Sequence, residues 1–242
     1  EQSRHHLTIR ALDAGGDKPV RYLDHRREDN PFLGLRGVRL LIEHPDILLR
    51  QYQALQEAME RTQNGYEVRF MLPMISSTEE VIAVQRILDK ASHRMPVPKL
   101  GIMIEVPSAA LIAQPLAELV DFLSIGTNDL AQYVLASDRT NSTVARMADA
   151  LHPAVLRLIK MACDVGSDMG KPVSLCGEIA GDPAAVPVLL GLGVTELSAP
   201  LPAVPIVKQK VRSVSMAEST SIAEKALHCS TATQVRELLD RP

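Results

Sequence analysis

Glu105 closes the apolar run GIMIE (101–105), and Asn128 and Asp129 close a second, FLSIGTND (122–129). Cys176, Gly177 and Glu178 end a third, while Arg10 lies in TIRALD (8–13), Arg36 stands beside Gly37, and Arg139 follows in SDR (137–139). Three arginines, two carboxylates, an amide and a thiol have a definite chemical bias. Arginine forks match carboxylate and phosphate oxygens in pairs. Two carboxylates on neighbouring strand ends suit Mg2+, which takes one or two protein carboxylates and completes its shell with substrate oxygens and water. The set fits a small anion bearing both phosphate and carboxylate, held with a divalent cation. Each residue alone has a plainer reading. A strand-end carboxylate can cap a helix or join a salt bridge, and Asp129 could cap a helix starting near Leu130. A lone arginine can be a solvated charge, Cys176 a small buried apolar residue, and GGDK (15–18) only a turn. Asp13 and Lys18 stand between organising that loop and touching a ligand.

Short apolar runs must position these groups. Candidate strands are 7–12, 37–41, 68–72, 100–105, 121–126, 172–176 and 194–199, with helical spacing between them over 79–92 and 153–168. Pro153 suits a first helical turn, and Gly170-Lys171-Pro172 marks the stop. Alternating strands and helices imply an α/β fold with a parallel sheet, whose ligands bind at the carboxyl ends of the strands. Seven strands are expected where a (β/α)8 TIM barrel has eight. The tail, 217–242, reads as helical and polar, and no linker long enough to separate two domains is visible.

Composition narrows the ligand class. The chain has 242 residues, 46% hydrophobic and 23% charged, with a formal net charge of −3, so no global electrostatic case for nucleic acid exists. With no Trp, three Phe and four Tyr, an aromatic cage or base-stacking platform is disfavoured. No apolar run approaches the roughly 18 residues of a membrane span. Three scattered cysteines show neither disulfide nor zinc spacing, and a reducing, cytoplasmic setting is expected.

The strings TIRALDAGGDK (8–18), NPFLGLRG (30–37), GIMIEVPSA (101–109), DFLSIGTNDLAQY (121–133), DR (138–139), LHPAVLRLI (151–159) and LCGEIAGD (175–182) resemble the C-terminal domain of Enzyme I. Enzyme I is the phosphoenolpyruvate (PEP)–protein phosphotransferase of the bacterial sugar phosphotransferase system, in the wider PEP-utilising family. The resemblance runs from about residue 7 to 215 and implies one PEP-binding TIM-barrel domain over 1–242. It further implies that Arg10 and Arg36 grip the phosphate, that Glu105 and Asp129 bind Mg2+, and that Asn128 and Arg139 contact substrate alongside Asp129. Cys176 would exchange the proton at C3 of the enol. His25, His44, His93 and His152 match no transfer motif and read as structural or surface residues.

Departures from the family pattern set further expectations. The family's phosphohistidine domain, which serves the carrier HPr, and the arginine motif of the first barrel strand have no counterpart here. The chain is therefore expected to lack that first strand, to pair around 7–12 on one side only, and to be inactive alone. Ala131 stands where the family commonly has Thr. The resemblance also implies a homodimer. Alternatives are a relative of pyruvate phosphate dikinase or phosphoenolpyruvate synthase, an Mg2+-dependent pyruvate-enolate lyase, and a non-catalytic dimerisation or sensing fragment.

Overall fold

The computed structural model describes residues 6–16, 18, 28–62, 66–91 and 94–240; His25 and His93 lie outside them. The chain divides into two compact units, Glu1–Met103 with Glu118–Phe122, and Ile104–Ala117 with Leu123–Pro242.

The first unit holds β1 (His6–Arg10), α1 (Val38–Glu43), α2 (Pro45–Thr62), β2 (Glu67–Leu72), α3 (Thr78–Leu88) and β3 (Lys99–Ile104). β1 pairs with β2, and β2 with β3, all parallel. β2 is polar at its start and buried from Phe70 onward. The ring of Tyr52 on α2 meets Phe70 edge-on at 5.5 Å between centroids. Gln51, also on α2, clamps the chain where β1 ends: it accepts the Leu12 N–H at 2.9 Å and donates to the Arg10 carbonyl at 3.1 Å. α3 opens on a capping box, with Ser77 and Glu80 each accepting from the other's backbone N–H. Among the described residues β1 pairs with β2 alone, the one-sided pairing expected for this segment.

The second unit holds α4 (Pro107–Leu111), α5 (Ala113–Glu118), β4 (Phe122–Gly126), α6 (Thr127–Val134), α7 (Pro153–Asp168), β5 (Val173–Cys176), α8 (Val186–Gly191), β6 (Glu196–Leu197), α9 (Val204–Ser213), α10 (Met216–His228) and α11 (Ala232–Leu239). β4 pairs with β5, and β5 with β6, again parallel. β4 is buried along its whole length, as a strand covered on both faces must be. α8 and α10 cross at Gly191, where an added Cβ would stand 2.0 Å from the Ser219 carbonyl oxygen. α7 spans the expected residues, with Pro153 at its first position and the His152 ring nitrogen accepting the Ala154 N–H at 3.2 Å.

Strand order follows the chain from β1 to β6, so the fold is α/β with the sequential parallel order of a partial TIM-like barrel. Three expectations need correction, the first being the strand at 194–199, of which only Glu196–Leu197 pairs as β6. The run at 37–41 is helix α1, not a strand, so six strands stand among the described residues rather than seven. A short apolar run fits strand or buried helix equally well by periodicity, and Gly37, at φ 57°, turns the chain into the helix. α6 begins at Thr127, so Asp129 lies inside its first turn and does not cap it.

Candidate functional site

In the first unit the cationic residues converge on one carboxylate. Asp13 lies just beyond β1. Its side chain is 2% exposed, and it meets Lys18 Nζ at 2.7 Å, Arg36 Nη2 at 3.1 Å and Arg10 Nη1 at 4.0 Å. The backbone makes this convergence possible. Gly15 and Lys18 exchange backbone hydrogen bonds at 3.0 Å, and Gly37 N–H donates to the Ala14 carbonyl at 3.0 Å. The turn therefore lies directly on the segment carrying Arg36. Gly15 holds φ 94° with an added Cβ only 2.1 Å from the Leu35 carbonyl oxygen, so no other residue fits there.

The cluster is asymmetric. Arg36 is 0% exposed, whereas Arg10 and Lys18 are 43% and 40% exposed. Burial is the largest influence on Asp13 and pushes its carboxyl upward. The hydrogen bond from Lys18 and the charges of Arg36, Lys18 and Arg10 together outweigh it, and the carboxyl lies below its ordinary range. Among the described residues Asp13 is thus an anion shared among three cations, two of which are open to solvent. The sequence leaves Asp13 between organising the loop and touching a ligand; nothing in TIRALD marks it as the hub.

In the second unit the carboxylates sit where strands give way to helices. Glu105 and Val106 are the whole link between β3 and α4, because Pro107 opens the helix at once. Glu105 is buried. Asp129, also buried, occupies the first turn of α6, where the N-terminal end of the helix favours an anion. Arg139 Nη2 meets Asp129 Oδ1 at 3.4 Å.

The start of α6 is stitched to the end of β5. The Thr127 hydroxyl donates to the Cys176 carbonyl at 2.7 Å, and the Glu178 N–H donates to Asn128 Oδ1 at 3.1 Å. Gly177 lies beneath the stitch at φ 106°, where an added Cβ would stand 2.2 Å from Thr127 Oγ1 and 2.8 Å from Asn128 Oδ1. The glycine of LCGE is therefore a steric requirement of the site. Asn128 accepts through its oxygen, so its NH2 is the group that can donate to a ligand. Cys176, in register with Gly126 across β4 and β5, is partly exposed at the strand end. Cys163, by contrast, is buried within α7, and burial pushes its thiol up to about 12.

Beyond α6 the chain turns through Ala136, at φ 50°, to reach Arg139. Gln132 governs this turn: its carbonyl accepts the Ser137 N–H and its Oε1 accepts the Arg139 N–H, each at 3.0 Å. A cleft of about 340 Å3 borders Asn128 and Glu178 and is lined further by Arg146, Asp149, Asp182 and Arg236. Arg236 on α11 donates to Asp149 Oδ2 at 2.8 Å, tying that helix to the loop before α7. The structure thus groups Arg10 with Arg36 in the first unit. In the second it links Asp129 to Arg139, and Asn128 to the turn beside Cys176.

Parallel strands with polar residues at their carboxyl ends are the arrangement in which α/β enzymes place their ligand sites. Residues 2–216 match the family described as "PEP-utilising enzyme, PEP-binding domain", and the chain belongs to that family. It is 47% identical over 234 residues to a multiphosphoryl transfer protein of Xanthomonas campestris, covering 96% of this chain and 28% of that protein. To the phosphoenolpyruvate-dependent phosphotransferase system protein of Escherichia coli it is 40% identical, covering 95% of this chain and 31% of that one. A phosphoenolpyruvate-protein phosphotransferase of Haloferax volcanii is 42% identical, covering 96% and 42%. The chain spans less than half the length of each of these relatives.

Proposed function

We propose that this chain is the PEP-binding part of an Enzyme I-type phosphotransferase, which moves phosphate from PEP to an enzyme histidine, then to an HPr-type carrier, and releases pyruvate. The observation that carries the reading is the Asp13 cluster, in which three cations share one buried carboxylate and two of them stay open to solvent. Solvent-open cations backed by a buried arginine suit the phosphate of a small trianion. Arg10 serves that phosphate from the exposed side, and Arg36 is the buried charge behind it. Glu105 and Asp129 hold the cation. Both are buried oxygen donors within one unit. The fit is therefore to Mg2+, whose remaining ligands are substrate oxygens and water. When bound, Mg2+ supplies charge neutralisation for the departing enolate.

The chain's own residues do the rest. Asn128 and Arg139 orient the substrate by hydrogen bonds. In transfer the P–O bond to the enol oxygen breaks, the phosphoryl group passes to the histidine nitrogen, and enolpyruvate is left. Cys176 gives its thiol proton to C3 of that enolate, completing pyruvate, and is reprotonated from solvent. Among the described residues no helix is long and apolar enough to cross a membrane. The protein works in the cytoplasm as a homodimer.

The proton step can be tested without any phosphate acceptor. In D2O with Mg2+, this chain is expected to exchange the methyl protons of pyruvate, followed by NMR, and Cys176→Ala is expected to slow exchange by about 10²–10⁴-fold. Exchange that survives in Cys176→Ala would remove the thiol from the mechanism. No Mg2+-dependent exchange in the wild type would overturn the PEP reading.

A further inference from the structure

Gln132 is not among the residues assigned to substrate or cation, yet it bonds directly to the backbone of one of them, Arg139. It is 4% exposed, on α6 one turn beyond Asp129. Its amide orientation is fixed, because only Oε1 can accept the Arg139 N–H at 3.0 Å. That leaves Nε2 as a buried donor with no hydrogen-bond partner among the described residues, and the Nε of Arg139 is another. Buried donors without acceptors are destabilising, and most native polar groups avoid the state. An apolar side chain of similar length would fill the space without that penalty. The backbone carbonyl of residue 132 holds the Ser137 N–H whatever the side chain. What glutamine adds is the bond to the Arg139 N–H, which fixes the far end of the turn beyond the left-handed Ala136. Arg139 then reaches Asp129 at 3.4 Å.

We propose that Gln132 is a positioning residue: it holds the 135–139 turn so that the Arg139 guanidinium stays registered against Asp129. Gln132 acts through Arg139 and touches no substrate. The inference rests on the assignment of Arg139 to the PEP site, and its test can be separated from that assignment.

The first measurement is side-chain NMR of the chain labelled with 15N-arginine, with the Arg139 Nε–Hε signal assigned by its loss in Arg139→Ala. Wild type is expected to show an ordered Nε–Hε protected from water. In Gln132→Met the signal is expected to collapse to the averaged position of an exposed arginine. Gln132→Glu, which keeps an oxygen for the Arg139 N–H, is expected to retain it. The second measurement is calorimetric binding of PEP with Mg2+. Gln132→Met is expected to weaken it about 10–100-fold, the usual range for a group that orients ligands from behind, while its melting temperature changes little. In the double variant Gln132→Met/Arg139→Ala, binding is expected to be no weaker than in Arg139→Ala alone, within about twofold. An unchanged Arg139 signal in Gln132→Met, or losses that multiply in the double variant, would overturn the proposal. If wild type binds no PEP, the PEP reading fails, and the Nε–Hε signal still decides whether Gln132 orders Arg139.

Discussion

Asp13 and Cys163 are buried titratable groups whose environments push them in opposite directions, and each makes a stability prediction. Asp13→Asn leaves the fully enclosed Arg36 without this counter-charge, and breaking a buried pair in this way costs about 3–5 kcal/mol. The pH dependence follows from the lowered carboxyl. Its stabilisation is complete above the unfolded value of about 3.9 and is lost as pH falls through the lower folded value. Urea unfolding of wild type at pH 7 and pH 3 should therefore show a loss of stability in acid that is smaller in Asp13→Asn. Cys163 runs the other way. Its thiol is raised to about 12, so its contribution is complete below the unfolded value and disappears as pH rises toward 12. Thermal melts at pH 8, 9 and 10 are expected to fall more steeply for wild type than for Cys163→Ala; equal slopes would contradict the assignment. The positions of Glu105, Asp129 and Cys176 where strands end were readable in the sequence, because the apolar runs before them mark the strands. The roles of Asp13 and Gln132 were not, because they depend on which backbone groups the folded turns bring to them.

At the scale of elements, the clearest sequence signal was α7. Its proline at the first helical position and its one-sided apolar spacing are local, and the helix forms over the residues they mark. Helix α1 was misread because GVRLL (37–41), with Arg39 its one charge, is too short for its apolar spacing to separate strand from helix, and the deciding feature is the positive φ of Gly37. That glycine is itself held by close approach to Met74, whose Cβ would lie 2.8 Å from an added methyl group. β6 is two residues long where six were expected, since apolar content near a sheet edge does not specify how far pairing extends. The stitch between β5 and α6 makes an element-level prediction. Gly177→Ala combines a left-handed backbone with a clash on Thr127 Oγ1, a combination expected to cost about 1–3 kcal/mol or more. Because the clash falls on Thr127 and Asn128, pyruvate exchange should drop beyond what the loss of folded protein explains. A variant with unchanged exchange per folded molecule would show that the stitch is not needed for chemistry.

Across the whole molecule, charge is distributed unevenly. The formal net charge is −3, yet among the described residues three cations gather at Asp13, two of them in contact with water. Water-exposed cations do not wait bare for their ligand. They keep an atmosphere of small anions, which an arriving trianion must displace, so binding there is an exchange of ions rather than a simple addition. Screening lengths shrink from about 10 Å at 0.1 M to about 3 Å at 1 M salt. Affinity for PEP should therefore weaken severalfold as potassium chloride rises from 0.05 to 0.5 M, and inorganic phosphate should compete more strongly than chloride at equal ionic strength. Titrations in both salts measure this directly, and an affinity indifferent to either anion would mean that the exposed arginine and lysine are bystanders.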